Sequence, residues 1–149
     1  MLIRLIIFLA VNFLALYLGQ IFTDGGVSSQ WYADLNKAPW TPPGWVFGFS
    51  WVTIMICFSF FMAFAWNIVK NRNKLLVLFI VQFFLNVGWN PVFFYYNNAE
   101  AALAIIITLT ILVAYFFFNY RRELESKSFL MLPYLIWLII ATSLNAYVV

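Results

Sequence analysis

Trp31–Trp51 reads WYADLNKAPWTPPGWVFGFSW, and the reading of this stretch decides the fold. It is the one long polar-bearing segment between hydrophobic blocks, and it concentrates four of the seven tryptophans and three of the five prolines. Pro39, Pro42 and Pro43 lack a backbone donor and hold φ near one value, so Lys37–Pro43 is expected not to form a regular helix. Gly44 then releases the chain into an apolar run that starts with Trp45. Such a rigid aromatic loop has two readings. It is either a lid over a cavity at the mouth of a membrane bundle, or a belt of indoles at headgroup depth, where Trp and Tyr concentrate in any case.

Outward from the loop, the chain is too apolar for water. Of its 149 residues 66% are hydrophobic and 9% charged, which leaves too little polar surface to cover a soluble domain of this size. Five blocks are long enough to cross a bilayer at about 20 residues each. They are residues 2–22, 44–69, 75–96, 101–120 and 129–149, with residues 23–43 as the lid loop, in one domain over 1–149. β-Barrel strands would be shorter and would alternate. An all-α membrane protein, a bundle of five transmembrane helices, is therefore expected. Residues 1–21 resemble a signal peptide in having Arg4 before an apolar run. The run is longer than a usual signal core and no A-x-A-like site follows, so it is read as a mature helix.

Charge gives the expected orientation. With five spans, Arg4, Lys70, Arg72, Lys74, Arg121, Arg122 and Lys127 share one side, and Lys37, Asp24, Asp34 and Glu100 lie on the other. By the positive-inside rule the N-terminus is cytoplasmic, the C-terminus extracytoplasmic, and the tryptophan loop faces out. The net charge of +3 then follows from topology, with no nucleic-acid partner implied.

No ionisable side chain sits at mid-depth in any span, which argues against a proton or ion pump. Gln82, Asn86 and Asn90 recur every four residues, with Trp89 and Phe93 beside them, so the amides share one helix face. Turned to lipid unpaired, each would cost several kcal/mol; the row should face the bundle interior, either for a ligand or as hydrogen-bonding glue between helices. Pro91 is expected to interrupt this helix just after Asn90. In the fifth span Pro133, Trp137, Ala141 and Asn145 share a face, and small Ala141 beside Trp137 suggests a flat recess walled by an indole. Ala15 and Gly19 form a small-xxx-small pair that permits close helix contact. Thr108 and Thr110 are the mid-span polar groups of a fourth span that reads as structural.

Histidine is absent and Cys57 is the single cysteine. There is accordingly no Ser–His or Cys–His nucleophile system, no imidazole metal site, no disulfide framework, and no metal ligand set is expected. What remains is a neutral cavity of indoles, phenols and amides, suited to flat, largely apolar molecules through stacking and a few hydrogen bonds.

These residues resemble the TspO/MBR family, the translocator or tryptophan-rich sensory proteins once called peripheral benzodiazepine receptors. The likeness rests on Trp31–Tyr32, Leu35, Lys37, Pro39–Trp40, Pro42–Pro43, Trp45 and Trp51 in the loop and second span. It continues with Gln82, Leu85–Asn86, Trp89 and Phe93–Phe94 in the third span, then Pro133–Tyr134, Trp137, Ala141 and Leu144–Asn145 in the fifth. The resemblance implies a five-helix bundle, usually a homodimer in membrane lipid, whose cavity under the first loop binds porphyrins and benzodiazepine-type ligands. Protoporphyrin is the implied ligand, with no cofactor required. Tyr32, Trp40, Pro42, Trp51, Gln82, Asn86, Trp89, Asn90, Trp137 and Ala141 are the implied ligand-binding residues. Some members degrade protoporphyrin in light, and the two tryptophans implicated would be Trp51 and Trp137. The expected function is a tetrapyrrole-binding membrane protein that senses or regulates porphyrin. The alternatives are a light-dependent porphyrin-degrading enzyme and a small-molecule translocator. Three positions depart from the family pattern: Ala38 separates Lys37 from Pro39, Met55 stands where a tyrosine is usual, and no Lys or Arg follows Tyr147. Leu112–Tyr115–Arg121 fits the loose sterol-contact pattern, yet with the C-terminal motif incomplete sterol is not expected as the native ligand.

Overall fold

The computed structural model describes residues 1–23 and 25–149; Asp24, assigned by sequence to the loop side, lies outside them. Among the described residues six α-helices follow in chain order: α1 Leu2–Ile21, α2 Gln30–Asp34, α3 Gly44–Ile68, α4 Arg72–Asn90, α5 Ala99–Leu124 and α6 Leu132–Tyr147. Among the described residues there is no strand. Among the described residues four helical stretches are long and apolar enough to cross a membrane, and the last, Ala99–Tyr147, runs for 49 residues. That is about twice what one crossing needs. It doubles back at Glu125, whose φ of 53 starts the 3-10 turn Glu125–Met131. The fold-back is proved at its far end, where Asn145 Nδ2 donates to the Ala99 carbonyl at 2.9 Å. Halfway along, the Thr110 and Thr142 hydroxyls meet at 3.1 Å. The result is a five-helix membrane bundle plus the short α2 in the loop.

The long helices close a ring. α3 abuts α1, α1 abuts α4, α4 abuts α5, α5 abuts α6, and α6 returns to α3. α1 and α4 run parallel: Phe8 meets Phe79 edge-on at 5.2 Å near one end, and Gly19 meets Asn90 at the other. A Cβ on Gly19 would stand 2.7 Å from Asn90 Nδ2, so the small-xxx-small pair does permit close approach. Apart from Lys37 in the loop, the basic residues collect at one end. Arg4 hydrogen-bonds Asn67, Arg72 Nε donates to the Trp66 carbonyl, Lys127 lies over the Phe64 ring and Lys74 over Tyr115.

Side chains are sorted as lipid requires. Ile7 and Leu14, Phe49 and Val52, Phe84, Ile111, Phe118 and Ile139 project outward, a surface that would aggregate in water and suits hydrocarbon. Inside, the half of the bundle toward the basic end is a tight aromatic core. Phe58 has no exposed surface and packs its ring within 5.4–6.4 Å of Phe61, Phe79, Phe116 and Tyr134.

Helix ends differ from the apolar blocks where polar groups cap them. α4 starts at Arg72 because Asn71 accepts from the Lys74 amide at 3.0 Å. α5 continues past Tyr120 through Arg121 and Arg122, cations that suit a helix C-terminus. Pro91 ends the α-helix after Asn90, as expected, but the chain stays coiled in a π turn over Pro91–Tyr95, closed by the Tyr96 amide on the Pro91 carbonyl at 2.9 Å.

Candidate functional site

The loop between α1 and α3 is built as a cap. Gly25 and Gly26, with φ of 88 and 55, take left-handed conformations that let the chain turn sharply out of α1. Ser29 then caps α2 by accepting from the Tyr32 amide at 3.2 Å. At the other end of α2, Lys37 Nζ donates to the carbonyls of Tyr32 and Ala33 at 2.9 and 3.1 Å and stands 4.9 Å from the Tyr32 ring. Burial pushes the Tyr32 phenol above its ordinary pKa, so it stays neutral at physiological pH. Lys37–Pro43 is non-helical, as the prolines require.

α2 docks through two aromatic pairs. Trp31 meets Phe93 edge-on at 5.1 Å and Tyr32 lies tilted on Phe94 at 5.7 Å. Both phenylalanines come from the π turn, which carries two consecutive rings toward the cap. Behind them Trp89 stacks on Phe93 at 5.0 Å and 15°. Trp89 Nε1 donates to Asn145 Oδ1 at 3.0 Å, which ties α4 to α6.

Beneath this cap lies a cavity of about 490 Å³ to which all five long helices contribute. Trp51 and Phe47 of α3, Asn86, Trp89 and Asn90 of α4, and Trp137 and Ala141 of α6 form its inner wall. Ala15 and Leu16 of α1, Ile106 of α5 and Gly25–Ser28 of the loop complete it. Phe47 stands at 90° to Trp137 with centroids 5.3 Å apart, so one indole edge is clamped while Ala141 leaves room above it. Trp51 rests edge-on against Tyr134 at 6.2 Å. A groove through the loop, lined by Tyr32, Lys37, Pro42 and Gly44, shares Phe47 with the cavity and opens above it. None of the described residues lining the cavity is charged.

The amide row divides along its length. Gln82 Oε1 accepts from the fully buried Tyr134 hydroxyl at 2.7 Å, below the cavity and away from its wall. One turn on, Asn86 lines the cavity, is 5% exposed, and makes no side-chain hydrogen bond among the described residues. Asn90 lines it higher up, against Gly19. Trp137 Nε1 is likewise buried without a partner among the described residues.

A model of the TspO/MBR family matches residues 7–149, a span that takes in the loop and the five long helices around the cavity. The chain belongs to the TspO/MBR family. It is 33% identical over 134 residues to the tryptophan-rich protein TspO of Archaeoglobus fulgidus, covering 87% of this chain and 84% of that one. The tryptophan-rich sensory protein of Cereibacter sphaeroides is 32% identical over 116 residues, 78% of this chain and 73% of its own. The human translocator protein is 29% identical over 136 residues, 89% and 80% respectively. With its apolar helices, this makes the chain an integral membrane protein of that family.

On this TspO/MBR scaffold, Trp51, Asn86, Trp89, Asn90, Trp137 and Ala141 converge on one cavity, and Tyr32 and Pro42 line the groove above it. Two residues named from the sequence do not reach the cavity wall. Gln82 is held in the core by Tyr134. Trp40 is 54% exposed, with Nε1 donating to Ser143 Oγ at 3.1 Å and its ring edge-on to Tyr147 at 5.4 Å. It latches the loop to α6 from outside. Sequence reasoning missed Phe47 as a wall residue; its spacing of four from Trp51 on α3 was the available signal.

Proposed function

We propose that this protein binds a flat tetrapyrrole of the protoporphyrin type in the cavity under the loop and serves to sense or regulate porphyrin. One observation carries the reading. Trp51, Trp89 and Trp137 surround a cavity of about 490 Å³ whose polar side chains are uncharged amides and hydroxyls. Its volume falls in the range of about 300–1,000 Å³ that holds small-molecule ligands. Indole faces stack on a macrocycle, Asn86 and Trp137 Nε1 offer unused hydrogen-bonding capacity, and Lys37 at the groove suits a peripheral carboxylate.

A second reading, light-driven porphyrin degradation, draws on the presence of both Trp51 and Trp137 in the same wall. The described wall has no acid or base, so chemistry there would begin from the excited ligand and an oxidisable indole. Titration of the purified protein with protoporphyrin in the dark, followed by illumination, tests both readings. Binding with absorbance stable in light supports the receptor; bleaching supports the enzyme; no saturable binding overturns both. Trp51→Phe and Trp137→Phe keep an aromatic face that is harder to oxidise. They should retain most dark affinity and lose any bleaching.

The orientation we propose has the basic end in the cytoplasm. A reporter fused after Val149 should then be extracytoplasmic, and one inserted at Lys70–Lys74 cytoplasmic.

A further inference from the structure

A second cavity, of about 500 Å³, opens at the end opposite the loop, where α4 begins beside the last turns of α5. Lys70, Asn71, Lys74, Asn119, Tyr120 and Glu123 line it. We propose that it is a binding site for a monoanionic phosphodiester, of which the headgroup of an anionic lipid is the source its position favours. The proposal is independent of the loop-end reading.

Four features converge on that chemistry. First, Lys70 and Lys74 bring two ammonium groups to one opening, and Lys74 lies over the Tyr115 ring at 5.1 Å, against an aromatic face instead of a carboxylate. Second, the cavity sits at the start of α4, a 19-residue helix whose dipole favours an anion there, while Asn71 caps the Lys74 amide. Third, Tyr120 is 2% exposed and its hydroxyl has no hydrogen-bond partner among the described residues. A buried hydroxyl is ordinarily satisfied, and a phosphate oxygen in the cavity would accept from it. Fourth, Glu123 offsets one of the two lysines. The lining then keeps a net charge of about +1, which the single negative charge of a phosphodiester neutralises.

The surroundings point to a lipid as the carrier. On α4 the row Lys74, Val77, Val81 and on α5 the row Asn119, Tyr115, Ile111 each lead from the polar opening toward mid-bilayer on one helix face. Val77, Val81, Tyr115 and Ile111 are all exposed, so an acyl chain would find an apolar track below the headgroup. Basic recesses between helices at a membrane surface are suited to anionic headgroups.

The test uses the full chain in a neutral detergent. Retention of phosphatidylglycerol and of phosphatidylcholine, supplied at equal mole fraction, is read by native mass spectrometry. A parallel arm follows thermal stability as inorganic phosphate is raised at fixed ionic strength. Phosphatidylglycerol should be retained about tenfold better than phosphatidylcholine. Lys70→Gln with Lys74→Gln should abolish that preference, and Tyr120→Phe, which keeps the ring, should weaken retention about threefold. Arg121→Gln with Arg122→Gln removes two charges from the same end without touching the cavity and should change nothing. Equal loss in both double variants would reduce the effect to diffuse surface charge and overturn the site. So would a lack of preference between the lipids, or unchanged retention in Tyr120→Phe, unless phosphate alone gives saturable stabilisation that the Lys70 and Lys74 changes remove. That last outcome keeps the phosphate site and moves its source from lipid to solution.

Discussion

The two halves of the bundle use similar residues to opposite ends. Toward the basic end, Phe58, Phe61, Phe79, Phe116 and Tyr134 fill the interior with ring-to-ring contacts. Toward the loop, Trp51, Trp89 and Trp137 are as bulky, yet they stand around about 490 Å³ of space. Size and apolarity therefore do not decide where a cavity forms. What fills the gaps between the large rings differs: Ala15, Gly44, Gly48 and Ala141 sit among the indoles, whereas the lower half interleaves phenylalanine with leucine and methionine around its own Ala63 and Ala65. Tyr134 joins the halves, bracing Trp51 above and bonding Gln82 at its own level.

The contrast is broken most severely by Phe58→Ala. That change opens a cavity in the packed half and should cost about 3–5 kcal/mol, within the range for large-to-small core changes. It should appear as a lowered midpoint of thermal unfolding in detergent. A loss below about 1 kcal/mol would mean the lower half is as loosely filled as the upper.

Next in size is a pair of amide-to-leucine substitutions one helical turn apart. Gln82→Leu leaves the buried Tyr134 hydroxyl without its acceptor and should destabilise the protein by about 1–2 kcal/mol. Asn86→Leu removes no hydrogen bond within the described protein, so stability should stay within about 0.5 kcal/mol. Its effect should fall on porphyrin affinity instead. Measuring unfolding and dark titration for both variants sharpens the division between scaffold and site; matching profiles would erase it.

The smallest effect belongs to the latch. Trp40→Phe keeps an aromatic edge on Tyr147 but loses the exposed hydrogen bond to Ser143, worth less than about 1 kcal/mol. Thermal stability should hardly move, while release of bound porphyrin, followed by fluorescence recovery, should quicken a few-fold. An unchanged release rate would show that the loop does not gate the cavity.

Much of this was legible beforehand because it is local. Hydrophobic run length specifies the crossings, the placement of Arg and Lys specifies a basic end, and Pro39, Pro42 and Pro43 forbid a helix whatever surrounds them. The four-residue spacing of Gln82, Asn86 and Asn90 places them on one face of α4 for the same reason. What lies across from each amide is not a local property. That Gln82 meets Tyr134 while Asn86 meets open space depends on which residues α3, α1 and α6 bring to each level, and on how far apart their backbones stand. The π turn after Pro91 shows the same limit. Proline announces a break, but only the packed structure keeps the chain coiled there and aims Phe93 and Phe94 at Trp31 and Tyr32. Trp40 and Trp51 look alike as tryptophans of one loop-and-helix stretch. Tertiary packing alone makes one an outer latch and the other a cavity wall, because a periodic pattern states which face a residue occupies and never what that face will meet.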